Sequence, residues 1–258
     1  MTVSVVIHAF NEEAYIEPCL QSVDWADEIV IIDLGSTDGT VEICRRYTDR
    51  ILTHPRVEVV ELARAFGLEK ATGDWTLVLD PDERVCGGLG EYLRSIAGRN
   101  NADACILPFE TWMFGRRISH SGWAEDEHVR FFRTRNVTWP AVVHSVPQVD
   151  GPVLRVGREH GFIRHENYVS IAHFIDKLNR YTTQEAARLR AEGRRFHWLK
   201  LFYQPTKEFL HRYFMLGGWR SGIVGLILPL MMAFYVQVSY IKLWELYQRE
   251  AQGKDGER

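Results

Sequence analysis

The chain has 258 residues, 46% of them apolar and 25% charged, which supports a packed core and excludes a disordered, collagen-like or disulfide-stapled protein. Its net charge of -3 hides a division: Asp and Glu outnumber Lys and Arg by 24 to 14 over residues 1–150, and Lys and Arg lead by 17 to 10 over residues 151–258. An acidic front half weighs against a nucleic-acid partner, whose binder carries basic surface on the domain holding the site, whereas the basic back half suits an anionic surface.

The chain opens on the apolar run Val3-Ser4-Val5-Val6-Ile7 with no basic segment before it, which predicts a first strand and no signal peptide. Asn11-Glu12-Glu13 then starts a helical stretch in which Tyr15, Ile16, Cys19, Leu20 and Val23 recur at three- and four-residue spacing. Glu28-Ile29-Val30-Ile31-Ile32-Asp33 is a second buried strand and completes a βαβ unit. Gly35-Ser36-Thr37-Asp38-Gly39 forms a turn before a short helix facing inward through Val41, Cys44 and Tyr47, and Thr76-Leu77-Val78-Leu79-Asp80 is a further apolar strand. Continuous apolar strands mark a parallel sheet covered on both faces, and such sheets bind ligands at the carboxyl ends of their strands. Asn11, Asp33, Asp80, Asp82 and Glu83 all fall at those ends.

Residues 104–149 bring short aromatic-rich strands at 104–109 and 128–132, read as an added β layer against the sheet. From Tyr168 the spacing of Ile171, Phe174, Ile175, Leu178 and Tyr181 predicts a helix with that face inward. The boundary therefore falls near residue 165, dividing a domain over 1–165 from a basic, aromatic, helical extension over 166–258. Cys19, Cys44, Cys86 and Cys105 have no metal-site or C-x-x-C spacing and read as buried reduced thiols. Residues 221–241 carry no charge and are long enough to cross a ~30 Å hydrocarbon layer, yet Gly222, Gly225, Pro229, Gln237 and Ser239 interrupt them. Lys200, Lys207 and Arg212, interleaved with Trp198, Phe202 and Phe209, favour a helix lying in the interface of an anionic membrane on its cytoplasmic side; a spanning helix and a buried core helix are the alternatives.

Asp80-Pro81-Asp82 sets two carboxylates side by side with a proline fixing the backbone between them. Hard oxygen ligands select Mg²⁺ or Mn²⁺, which bind through one or two carboxylates together with the phosphates of a substrate. Taken alone, the same pattern also suits an ordinary acidic turn at a strand end.

The order of the parts is more specific. A strand followed by Asn11-Glu12-Glu13, a strand ending in Asp33 before Gly-Ser-Thr-Asp-Gly-Thr, then Ala71-Thr72-Gly73-Asp74-Trp75 before Leu77-Val78-Leu79-Asp80-Pro81-Asp82-Glu83, resembles the family 2 glycosyltransferases of the GT-A fold. The resemblance is closest to the lipopolysaccharide core β-glucosyltransferase group. It continues through Gly122-Trp123, Asp126, Arg130-Phe131-Phe132-Arg133, Val143-His144, Lys177 to Thr183, and the closing Ala233-Phe234-Tyr235 and Lys242-Leu243-Trp244-Glu245.

The resemblance implies an α/β GT-A fold, a Rossmann-like and mostly parallel central sheet flanked by helices, with a C-terminal membrane-associating extension. It implies an inverting transfer of a hexose, glucose first among candidates, from a UDP-sugar to a lipid-linked saccharide such as the lipopolysaccharide inner core, at the cytoplasmic face of the inner membrane. His8, Ala9, Phe10, Asn11, Glu12 and Glu13 would line the nucleoside pocket, Asp33 would accept a hydrogen bond from the base, and Arg64 would support the pyrophosphate. Asp80 would face the ribose or the metal, and Asp82 would coordinate Mg²⁺ or Mn²⁺. Asp126 would be the general base, with the adjacent Glu125 as alternative, and Trp123, Arg130 and His144 would contact sugar or acceptor. The chain departs from the family pattern at His8-Ala9-Phe10, Leu34, Ala65 and Ser145. Transfer to a polyprenyl phosphate, for which Asp126 would be dispensable, and a catalytically silent membrane scaffold are the competing readings. Neither oligomeric state nor Mg²⁺ against Mn²⁺ can be read from the sequence.

Overall fold

The computed structural model describes residues 1–57, 60–99, 101–123, 126–140 and 145–255. Along the chain these form β1 (Val3–Ala9), α1 (Ile16–Gln21), β2 (Glu28–Asp33), α2 (Thr40–Cys44), β3 (Ile51–Thr53), α3 (Glu61–Lys70), β4 (Trp75–Leu79), β5 (Glu83–Cys86), α4 (Leu89–Arg99) and β6 (Ala104–Met113). There follow β7 (Arg116–Arg117), β8 (Glu127–Arg133), β9 (Val137–Thr138), β10 (Gln148–Val149), β11 (Val153–Arg155), β12 (Phe162–Tyr168), α5 (Ile171–Ala191), α6 (Lys200–Leu210) and α7 (Gly222–Asp255). The chain divides into two compact units, Met1–Glu110 with Glu125–Asn167, and Thr111–Ala124 with Tyr168–Arg258.

The first unit is built on a mixed sheet in the order β3-β2-β1-β4-β8-β6-β12-β5. β3, β2, β1 and β4 run parallel, Val6 lying between Val30 and Val78 in register. Every residue of β1 and β4 is buried, as expected of parallel strands covered on both faces. Val3, Val5, Ile7, Leu77 and Leu79 pack on one face with Ile16, Cys19 and Leu20 of α1 and Leu93 and Ile96 of α4. Val6, Val30, Ile32 and Val78 pack on the other with Ala63 and Leu68 of α3 and with Trp139. The predicted separate β layer is instead an extension of the same sheet. β8 pairs antiparallel with β4, Leu77 opposite Phe131, and β6 pairs with β8, so the open edge of β4 is covered by strands.

In the second unit residues 112–117 make a hairpin, Trp112 and Met113 pairing with Arg117 and Arg116, and three α-helices follow among the described residues. Ser170 caps α5 by accepting a hydrogen bond from the His173 N–H at 3.1 Å. The buried stripe of α5 is Phe174, Leu178, Thr182 and Ala186, an i, i+4 row; Ile171, Ile175 and Tyr181, expected inward, are 47%, 40% and 46% exposed. The inward face is therefore rotated toward small and hydroxyl residues, which allow close helix contact. Ala186 meets Tyr240 and Leu243 of α7, and Lys242 Nζ donates to the Asn179 carbonyl, Asn179 Oδ1 and Thr183 Oγ1 at 2.6–2.8 Å. By length and composition α7 is able to cross a membrane. Cys19, Cys44 and Cys105 are buried free thiols, whereas Cys86 is only half-buried.

Candidate active site

The ends of β1 and β2 are stitched together by side chains. Asn11 adopts φ +55°, a left-handed conformation that Asn tolerates, and this turns its backbone N–H to Ser36 Oγ at 3.1 Å while its Oδ1 accepts from the Thr37 N–H at 2.8 Å. The Glu12 N–H donates to Thr40 Oγ1 at 2.7 Å, and Glu13 Oε2 accepts from the Gly39 N–H at 2.8 Å. Asp33 is buried and accepts from the N–H groups of Gly35 and Ser36 at 3.3 and 3.0 Å, so its carboxylate shapes the turn at the end of β2. Ala9 lies in the core, and the Phe10 ring carries the Arg56 guanidinium 4.2 Å above its centre.

At the end of β4 charge is concentrated. Asp80 Oδ1 is bound by Arg64 of α3, and its Oδ2 accepts from Arg130 of β8 at 3.3 Å. Arg64 is 3% exposed and also donates to His8 Nδ1 at 3.3 Å. The other ring nitrogen of His8 donates to the Ala63 carbonyl at 3.0 Å, a tautomer that leaves the ring neutral; burial, then Arg64, lower its pKa to about 3. Gly67 permits this approach of α3, since a Cβ there would lie 2.6 Å from His8 Nε2. Burial pushes the Asp80 carboxyl up, but Arg64 and then Arg130 outweigh it and hold it well below the ordinary range. Glu83, 1% exposed, accepts from Arg130 at 3.1 Å and from the Asp80 N–H at 2.8 Å; burial, only partly offset by Arg130, raises its pKa.

Two further groups complete the cluster. β12 pairs antiparallel with β5, setting His165 opposite Glu83 and its Nε2 3.6 Å from Asp82 Oδ2. Burial disfavours the imidazolium, but Asp82 more than compensates and lifts the His165 pKa to about 9. Asp126, just before β8, lies 3.0 Å from His128 Nε2; that hydrogen bond, against a burial penalty, lowers its pKa, and the charge on His165 acts in the same direction. Glu83 falls at a strand end that the sequence marks, but neither His165 nor His128 stands out in the sequence as a site residue. Only the run Arg164-His165-Glu166, polar within a strand, hints at one of them. Trp123 belongs to the second unit, where its ring packs with Met113, Ile118 and Val224 and carries Arg212 at 4.6 Å. Glu125 and His144 lie outside the described residues.

Among the described residues no three His, Cys, Asp or Glu side chains gather as a ready metal cage. A divalent ion that takes most of its oxygens from a substrate needs only one or two carboxylates, and this the site provides. Asp82 is the carboxylate that would do so, and the His165 imidazole lies 3.6 Å from it. Sharing Asp80 with the ion would cost its bonds to Arg64 and Arg130.

The lipopolysaccharide core biosynthesis glycosyltransferase LpsC of Rhizobium meliloti (strain 1021) is 28% identical over 258 residues, covering 97% of this chain and 94% of that protein. An uncharacterized glycosyltransferase of Rickettsia typhi, RT0209, is 24% identical, covering 95% of this chain and 87% of its own. Among solved structures, S. aureus TarS 1-349 in complex with UDP-GlcNAc aligns with a TM-score of 0.49 at 15% identity, over 97% of this chain and 92% of that one. Residues 4–148, more than half of the chain and the whole path from β1 into β10, match Glycosyl transferase family 2, and the chain belongs to that family.

Proposed function

We propose that this family 2 glycosyltransferase moves a hexose, with glucose the expected sugar, from a UDP-sugar to a lipid-linked saccharide such as the lipopolysaccharide inner core, inverting the anomeric carbon. One observation carries the reading: Asp82 and the neutralised Asp80–Arg64–Arg130–Glu83 cluster stand at the carboxyl end of β4, within electrostatic reach of Asp126 through His165. The part that the name of the LpsC relative gives it, in lipopolysaccharide core biosynthesis, supports the acceptor class.

The nucleoside lies against the stitched ends of β1 and β2, contacting His8, Ala9, Asn11, Glu12 and Glu13, with Asp33 accepting a hydrogen bond from the base. Asp80, clamped between two guanidinium groups, faces the ribose, and Arg64 acts through it. Asp82, with His165 beside it, would hold Mg²⁺ or Mn²⁺, which when bound neutralises the charge that collects on the departing nucleoside diphosphate. Asp126 takes the proton of the acceptor hydroxyl as its oxygen bonds to the anomeric carbon; the bond from that carbon to the diphosphate breaks, its electron pair leaving with UDP. Arg130 and Trp123 are the proposed acceptor or sugar contacts. The basic and aromatic second unit supports attachment to the cytoplasmic face of the inner membrane, where lipid-linked acceptors are found.

UDP release from a panel of UDP-sugars, with Mg²⁺, Mn²⁺ or chelator, tests this. Metal-dependent release from one donor, slowed by ~10²–10³-fold in Asp82→Ala, is the expected result. Unchanged release by that variant overturns the metal assignment.

A further inference from the structure

The second unit contains a cavity of about 460 Å³ whose walls include Ser119, His120, Phe214, Met215, Trp219 and Arg220. Hydrogen bonds tie its walls together. The Ser121 N–H donates to the Leu216 carbonyl at 2.9 Å, and Arg212 Nη1 donates to the Ser121 carbonyl at 2.8 Å, tying the segment after the hairpin to the turn before α7. Gly225 lets α7 touch that turn: a Cβ there would lie 1.8 Å from the Gly218 carbonyl oxygen.

The polar wall is cationic or hydrogen-bonding throughout. Arg220 spreads over the Trp219 ring at 5.2 Å and has no carboxylate partner among the described residues. His120 Nδ1 lies 3.0 Å from Ser119 Oγ and 3.4 Å from Ser221 Oγ. α7, 34 residues long, begins at Gly222, two residues after Arg220, and the positive end of its dipole adds to the same field. The rim is apolar and open: Phe214, Met215 and Trp219 are 57%, 79% and 55% exposed. Phe202, Tyr203 and Leu210 of α6, with Leu199 just before it, are likewise exposed. Residues 193–244 hold seven Lys and Arg against a single acid, Glu208, which Arg212 already pairs at 2.5 Å.

A cavity with an uncommitted guanidinium, rimmed by aromatic and thioether side chains in a strongly basic stretch, matches a phosphodiester whose two sides differ, water on one and hydrocarbon on the other. Scattered surface apolar residues need no explanation, but exposed aromatic and thioether side chains rimming a cavity that holds Arg220 do. We propose that this cavity binds the phosphate of an anionic phospholipid headgroup, with Arg220 and His120 on the phosphate and Phe214, Met215 and Trp219 seated among the acyl chains. The proposal rests on the membrane placement above and is independent of the donor chemistry.

Co-sedimentation of the full chain with phosphatidylglycerol–phosphatidylcholine vesicles, against pure phosphatidylcholine, tests it. The wild type binds the anionic vesicles preferentially. Arg220→Gln loses affinity by at least thirtyfold and Arg220→Lys recovers part of it, while Lys207→Gln, which removes one charge from α6 outside the cavity, loses only about fivefold, the share of any basic residue near such a surface. Equal losses for Arg220→Gln and Lys207→Gln overturn the site in favour of diffuse attraction. In a second arm, short-chain monomeric phosphatidylglycerol raises the wild-type melting temperature and inorganic phosphate at the same concentration does not; an equal rise with both overturns the lipid assignment. Absence of vesicle binding by the wild type overturns the site together with the membrane placement. Failure of UDP release in the same preparation strikes the donor reading alone.

Discussion

The two units handle charge in opposite ways. In the first, three carboxylates, Asp80, Asp82 and Glu83, meet three cations, Arg64, Arg130 and His165, inside the fold, and Arg64 and Glu83 are almost wholly enclosed. In the second, ion pairs run along helix surfaces, as between Arg188 and Glu185 or Arg249 and Glu245, and the apolar side chains are the ones left open. Enclosed charge must be matched group by group, so each member fixes the place of the next. Exposed charge is screened and interchangeable, which suits adhesion to a surface better than alignment of reacting atoms.

Mutations that disturb each kind of charge should separate the units, and the largest effect belongs to the first. Asp126→Asn is expected to lower turnover by about 10²–10⁴-fold with donor affinity unchanged, measured as UDP release alongside UDP binding. Retained turnover with a phosphate-bearing acceptor would favour the polyprenyl-phosphate reading. Arg64→Met strips a half-buried carboxylate of its nearest cation and should cost about 3 kcal/mol in urea unfolding, the low end for a broken pair because Asp80 is partly exposed and Arg130 remains; a loss under 1 kcal/mol would show that water reaches Asp80 freely.

A third test uses pH. The buried neutral His8 titrates near 3 instead of 6.5, so the unfolded chain takes up its proton first as the solution is acidified. A depressed folded-state value means that the stability it supports is complete above pH 6.5 and is lost on descent toward 3, at no more than about 1.4 kcal/mol per pH unit. Urea midpoints between pH 7 and 5 should fall less in His8→Gln than in the wild type. The smallest effect is expected in the second unit. Lys242→Met removes three hydrogen bonds to Asn179 and Thr183 but leaves neutral, partly hydrated acceptors, and should cost about 1 kcal/mol by the same measurement. A cost approaching that of Arg64→Met would erase the contrast.

What could be read from the sequence follows the range of the interactions involved. β1, β2 and β4 were legible because parallel strands buried on both faces are apolar without interruption, and their polar exits, Asn11, Asp33 and Asp80, come with them. The pairing of Asp82 with His165 was not, because 83 positions separate them and only the antiparallel register of β12 on β5 unites them. The roles of Arg64 and Arg130 are half legible: the family resemblance implies both as site residues, but spacing does not show that they clamp one carboxylate from two elements. The buried face of α5 differs from the one its large apolar residues predict; Thr182 and Ala186 are buried, while Ile171 and Ile175 remain outside. In the same way, short apolar and aromatic runs predict strands at 104–109 and 128–132 but cannot tell whether they extend the sheet or cover it.

The uneven enclosure of the four thiols gives an experimental handle. Burial raises the pKa of all four, but Cys19, Cys44 and Cys105 are sealed in the core whereas Cys86 is half-buried and within reach of a reagent. Mildly alkaline maleimide treatment of the native chain should therefore attach a single dye, with no engineered cysteine. That dye would sit four positions beyond Asp82, on the strand that carries Glu83, so fluorescence intensity would follow donor capture in real time.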